Sequence, residues 1–104
     1  MTIIRILIAS GLLLLAACES SPVRRMELIA QHPEWSQDMV KLIQEGFIAE
    51  GMDTDQVRAA WGRPCYTCTG TKKNAATDKW SSWEYMTQVV FFDSNEKVLR
   101  WTQK

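Results

Sequence analysis

Residues 51–68 read GMDTDQVRAAWGRPCYTC, and this stretch carries both ends of a helix in its own residues. Asp53 stands where an N-cap accepts from the first free backbone N–H groups, and Gln56 sits three residues on, where its side chain can reach back to the cap. Val57, Ala60 and Trp61 would form the buried face. Gly62 can supply a left-handed cap, and Pro64 forbids the helix to resume. Directly after this stop comes Cys65-Tyr66-Thr67-Cys68, the spacing used by redox enzymes, zinc sites and simple loop staples.

Upstream, HPEWSQDMVKLIQEGF (residues 32–47) reads as a longer amphipathic helix. Pro33 fits a first helical position, where its missing N–H costs nothing. Glu34 and Asp38 suit the positive end of the helix dipole. Trp35, Met39 and Ile43 fall four apart, with Val40, Leu42 and Phe47 beside them, which is one apolar stripe. Gly46 ends the helix as a C′ residue. Residues 19–31, ESSPVRRMELIAQ, read as a linker.

Downstream the period changes. Residues 65–78 are small and polar and predict a loop, with a short strand around Tyr66. KWSSWEYM (79–86) suits a strand with Trp83 and Tyr85 on one face and Trp80 on the other. Glu84 would then face solvent. TQVVFFD is β-prone, SNEK is a turn by composition, and VLRWT is a last strand with Val98 alternating from Leu99 and Trp101. Strands this close in sequence pair antiparallel. Helices followed by strands predict an α+β fold with two helices packed on a three-stranded antiparallel sheet.

The N-terminus reads as a targeting segment. Arg5 is the only charge in the first seventeen residues, and ILIASGLLLL follows it. A membrane-spanning helix needs about 20 apolar residues, so this run suits the h-region of a secretory signal. Leu15-Ala16-Ala17-Cys18 closes it. A cysteine directly after small residues resembles the lipobox of bacterial lipoproteins, in which Cys18 would be the acylated first residue of the mature chain. An ordinary signal peptide with an incidental cysteine and an uncleaved anchor are the alternatives. In lipoproteins that this segment resembles, an aspartate after the acylated cysteine is the usual inner-membrane retention signal; Glu19 stands here, which in a Gram-negative cell favours the outer membrane. The expected division is a signal peptide over 1–17, a lipidated N-terminus and tether over 18–32, and one domain over 33–104.

Without residues 1–17 the chain has eleven Lys and Arg against twelve Asp and Glu, in no run or stripe. Nucleic-acid binding needs a clustered positive footprint, so that partner class is not expected. No HExxH, GxSxG or Gly-rich phosphate loop is present. His32 is the only histidine, and a structural zinc normally takes four ligands. A disulfide between Cys65 and Cys68 is the leading expectation, since an oxidising compartment favours bonded pairs. A redox-active pair, a zinc site and free thiols stay open. Haem attachment is excluded, because Thr69 and not histidine follows Cys68. Two short helices leave part of a sheet uncovered, so Trp35 or Trp80 is a candidate exposed partner-binding anchor. An open sheet edge can also accept a partner's strand.

The order of these marks resembles a known family. Gly51-Met52 leads into DQV and a WGRP stop, then WEY, VVFFD and KVLRW follow on three strands. This is similar to the SmpA/OmlA, or BamE-like, domain of small outer-membrane lipoproteins, over roughly residues 33–102. The resemblance implies an ααβββ scaffold without catalytic residues, metal or cofactor, working at the periplasmic face of the outer membrane in outer-membrane protein assembly or envelope integrity. The Tyr-Arg-Pro-Asp-Ile-like stretch of that family has no counterpart in MELIAQHPEW (residues 26–35), and the CxxC loop is an addition. Two further readings compete: a periplasmic thiol–disulfide or metal-handling protein that uses Cys65 and Cys68, and a small enzyme-inhibitor lipoprotein, since a similar helix–sheet unit occurs in secreted inhibitors.

Overall fold

A computed structural model describes residues 21–104; the expected signal segment and Cys18 lie outside them. The helix read first forms as its caps require. It runs Thr54–Trp61 (α3, the third helix among the described residues), with Asp53 as N-cap. Asp53 Oδ1 accepts from Gln56 N at 2.8 Å and Gln56 Oε1 from Asp53 N at 2.9 Å. Two orphan donors are thus satisfied reciprocally. Val57, Ala59 and Ala60 are fully buried, while Trp61 is half buried. Gly62 has φ 85° and ψ −168°. The positive φ is glycine's, but this is not the left-handed helical cap expected; the chain leaves extended toward Pro64.

The helix before it, α2, spans Gln37–Glu45. It starts later than expected. Ser36 is the N-cap, its side chain accepting from Met39 N, so Pro33 and Trp35 lie in the preceding turn. A serine cap at Ser36 outcompetes proline at the first helical position because it satisfies a free N–H. Gly46 closes the helix at φ 80°, with its N–H on Ile43 and Leu42 carbonyls. Phe47 follows the cap and is 58% exposed instead of joining the stripe.

The expected linker is a third helix, α1, at Ser21–Gln31. Its reason is tertiary. Arg25 Nε and an η nitrogen donate to Ala60 O at 3.2 and 3.0 Å, and its other η nitrogen to Gln44 O at 3.5 Å. Arg24 donates to Ala59 O at 3.4 Å. These acceptors are last-turn carbonyls of α3 and α2, which have no partner within their own helices and carry the negative end of each dipole. Leu28 and Ile29 pack against the core behind the arginines.

Four strands form one antiparallel sheet in the order β1-β2-β3-β4: Lys72–Lys73, Trp80–Glu84, Gln88–Phe92 and Val98–Gln103. Strands β2 to β4 are the expected meander. The extra strand lies at Lys72–Lys73 and not around Tyr66, which sits in a turn. The class is therefore α+β as expected, with three helices and four strands among the described residues rather than two and three. The helices contribute Ile43, Val57, Ala59 and Ala60 to a core that the sheet completes with Trp83, Val90, Phe92 and Val98.

Candidate functional site

The CxxC segment is held by its neighbour strand. Cys65 N donates to Glu84 O at 2.7 Å, Thr71 Oγ1 to Cys65 O at 2.6 Å, and Glu84 N to Thr71 Oγ1 at 2.8 Å. Gly70 N donates to Glu84 Oε1 at 3.0 Å, and Ser82 Oγ to Gly70 O at 2.8 Å. Glu84 is therefore not the solvated residue that strand alternation suggests. Its carboxylate also takes Lys104 Nζ at 3.0 Å, and the Lys104 hydrogen bond holds its pKa below the ordinary glutamate value. An added Cβ on Gly70 would run into Glu84 Oε1, so that glycine is a matter of clearance.

The sulfurs of Cys65 and Cys68 lie at bonding distance, with Cα atoms 5.4 Å apart. No helix opens after the pair; residues 66–70 are turns. The helix N-terminus that lowers a thiol pKa in thioredoxin-type sites is thus not supplied here. The disulfide lines an open groove of about 540 Å³ together with Arg63, Glu84, Met86 and Lys104. His32 is elsewhere. Its Nδ1 is 2.8 Å from Glu34 and its Nε2 4.0 Å from Asp55, at the start of α3, whereas the cysteines follow the end of α3. The His32 hydrogen bond holds the Glu34 pKa below its ordinary value. Among the described residues no group of three or more His, Cys, Asp and Glu is arranged to hold a metal ion.

The two tryptophans expected as anchors are both half buried against the core. Trp35 stacks on His32 with ring centroids 4.2 Å apart and planes 3° from parallel. Trp80 is covered by Tyr66 at 5.6 Å and by the Lys73 ammonium at 4.6 Å from its ring centroid. It also meets Trp83 at 6.0 Å, despite the opposite strand parity. Arg58 bridges this cluster, lying 5.5 Å over Trp83 and donating to Tyr66 Oη at 3.3 Å. The Trp83 indole N–H is buried with no hydrogen-bond partner among the described residues.

Exposed apolar surface lies instead on Met26, Phe47, Tyr66, Met86, Leu99 and Trp101. Two of these belong to β4, an edge strand on which only Val98 is buried. Leu99 falls at the irregularity opposite Phe91 and Phe92, and Trp101 sits across from Val90. Lys104 N donates to Thr87 O at 3.0 Å. Antiparallel alternation then turns Thr102 toward β3 as well, and leaves the backbone N–H groups of Trp101 and Gln103 facing outward. Arg100 lies 4.5 Å over the Phe91 ring, an edge charge of the kind that limits indiscriminate pairing. The sequence implies an open edge but does not specify these residues. The available signal was that the last strand has no successor to pair with.

No family model, curated protein or solved structure matches the chain.

Proposed function

We propose that this protein is a lipid-anchored, non-catalytic docking module of the bacterial envelope, similar in build to the BamE-like outer-membrane lipoproteins. Acyl chains on Cys18 hold it at the outer membrane, and the domain works in the periplasm in outer-membrane protein assembly or envelope integrity. The lipobox-like Leu15-Ala16-Ala17-Cys18 supports the location. The observation that carries docking is the β4 edge, where outward backbone groups at Trp101 and Gln103 lie beside the exposed Leu99 and Trp101 side chains. Strand addition takes affinity from main-chain hydrogen bonds and specificity from alternate side chains.

The thiol–disulfide reading is the second one, favoured by the groove that the Cys65–Cys68 pair lines. Replacing both cysteines by serine separates the two. Docking predicts that envelope partners are still captured from detergent extract and that only stability falls. Loss of function with an intact fold would transfer the role to the thiols. Capture of a soluble enzyme instead of an envelope protein would support the inhibitor reading. Processing at Cys18 is expected to stop in globomycin; processing that continues unchanged would remove the lipoprotein premise.

A further inference from the structure

The domain has two poles, and they differ in chemistry. At one, Arg25 of α1 reaches Gln44 and Ala60 at the ends of α2 and α3, and Trp61 Nε1 donates to Gly46 O at 2.8 Å. Tyr85 Oη donates to Gly62 O at 2.8 Å, which brings the β2–β3 turn to the same place. Arg25, Trp61, Tyr85 and Met86 line one open groove of about 320 Å³ there. At the opposite pole, His32 at the end of α1 meets Asp55 at the start of α3, and Gly51 N donates to Val98 O at 2.8 Å beside the β3–β4 turn.

Two of the most exposed large apolar side chains sit at the first pole: Met86 at 92% and Phe47, next to Gly46, at 58% exposure. Its exposed cations are Arg63 and Lys104, the latter paired with Glu84; Arg24 and Arg25 add charge while half buried on the helix-end carbonyls, and Glu45 is its other acid. The second pole carries Glu34, Asp53, Asp55, Asp93 and Glu96, offset by Arg58, Lys79 and Lys97. The chain enters the domain at the first pole. Cys18 precedes Ser21, the first residue of α1, by three residues, and three extended residues span at most about 11 Å.

We infer that the Phe47–Met86 pole lies against the lipid bilayer, with these two side chains in the headgroup and acyl boundary. The inference rests on the proposed acylation of Cys18. An anchor within about 11 Å of a docked helix leaves no tether for the domain to turn freely, and the pole it presses down is the one with exposed apolar and basic groups. Interfacial apolar groups bury about 5–10 Å into that boundary, aided by basic neighbours on anionic lipid. The β4 edge runs from the far pole toward this one, so it stays open to a partner from the side.

The test uses the acylated full-length product in phosphatidylcholine vesicles, with nitroxide labels on Phe47→Cys, Met86→Cys or Asn95→Cys, and its mass measured first. All three sites are exposed, so labelling leaves the core intact. Labels at 47 and 86 should be severalfold more accessible to oxygen than to a water-soluble nickel chelate, and the label at 95 should show the reverse. Acylated protein whose labels at 47 and 86 behave like that at 95 overturns the inference and leaves the lipoprotein reading standing. Labels at 47 and 86 that are shielded only after envelope protein is added also overturn it, since that pole would then face a protein. A mass showing unmodified Cys18 overturns both.

Discussion

Two irregular regions hold this domain together by opposite means. At the joint of the helices, Arg24 and Arg25 cross 35 residues of sequence to reach carbonyls of α3. In the disulfide loop, Thr71 reaches Cys65 six residues back and Gly70 reaches Glu84 fourteen ahead. The joint relies on charge placed on helix ends, with glycines giving the guanidinium groups room. The loop relies on several hydrogen bonds to an adjacent strand, most of them between neutral groups and one to the Glu84 carboxylate, and on one covalent link. A contact between segments distant in sequence must offset a larger closure entropy, and hydrogen bonds from charged donors are the stronger kind. The joint is therefore the more fragile region to a single substitution, while the loop is redundant.

That difference can be broken experimentally. Arg25→Ala removes the donors to Ala60 and Gln44 together and should cost about 2–3 kcal/mol in denaturant unfolding, with amide exchange in residues 21–31 rising most. Cys65→Ser combined with Cys68→Ser opens a four-residue ring, which chain entropy values at about 2 kcal/mol. The amides of Cys65, Gly70 and Glu84 should keep their protection, because their partners remain. Gly46→Ala places a Cβ 2.9 Å from an Arg25 η nitrogen at φ +80° and should cost about 1–2 kcal/mol from the left-handed backbone alone. The part due to crowding should vanish in an Arg25→Ala background, which a double-mutant cycle reads directly.

A fourth test concerns pH. Burial raises the Tyr85 phenol pKa, so the fold favours the neutral form. The stability this gives is complete below the unfolded value near 10 and is lost as pH rises above it. Tyr85→Phe should cost about 1 kcal/mol at neutral pH, for the lost bond to Gly62 O, and should flatten the alkaline decline. Glu84 has the opposite sign. Its lowered pKa gives stability present above its unfolded value near 4.3 and lost as pH falls through the folded one. The smallest expected effect is Gln103→Pro. It deletes an outward N–H on an edge strand, where proline is tolerated, and thermal unfolding should shift little.

The same contrast explains what could be read from residues alone. Asp53, Gln56 and Gly46 declare themselves because a cap is a local bargain between neighbours. Ser36 is as legible a cap as Asp53, but the four-residue spacing of Trp35, Met39 and Ile43 extends the apparent helix one turn too early. The α1 segment gave no such sign. Its stability comes from Arg24 and Arg25 meeting helix ends that only the folded chain assembles, so its mixed polarity read as a linker. Strand β1 is two lysines, with no apolar alternation to find. The burial of Trp35 and Trp80 depends on His32, Tyr66 and Lys73 arriving over their rings, which spacing does not encode. The open edge is legible in kind, and which residues line it depends on the register.

The most direct test of docking through β4 is photo-cross-linking from position 101 in intact cells, run beside the Gln103→Pro and the doubly serine-substituted chains. The account predicts a discrete envelope-protein adduct that survives loss of both cysteines and disappears with Gln103→Pro while the fold is retained. An adduct indifferent to Gln103→Pro, or one that vanishes only when Cys65 and Cys68 are replaced, would contradict it.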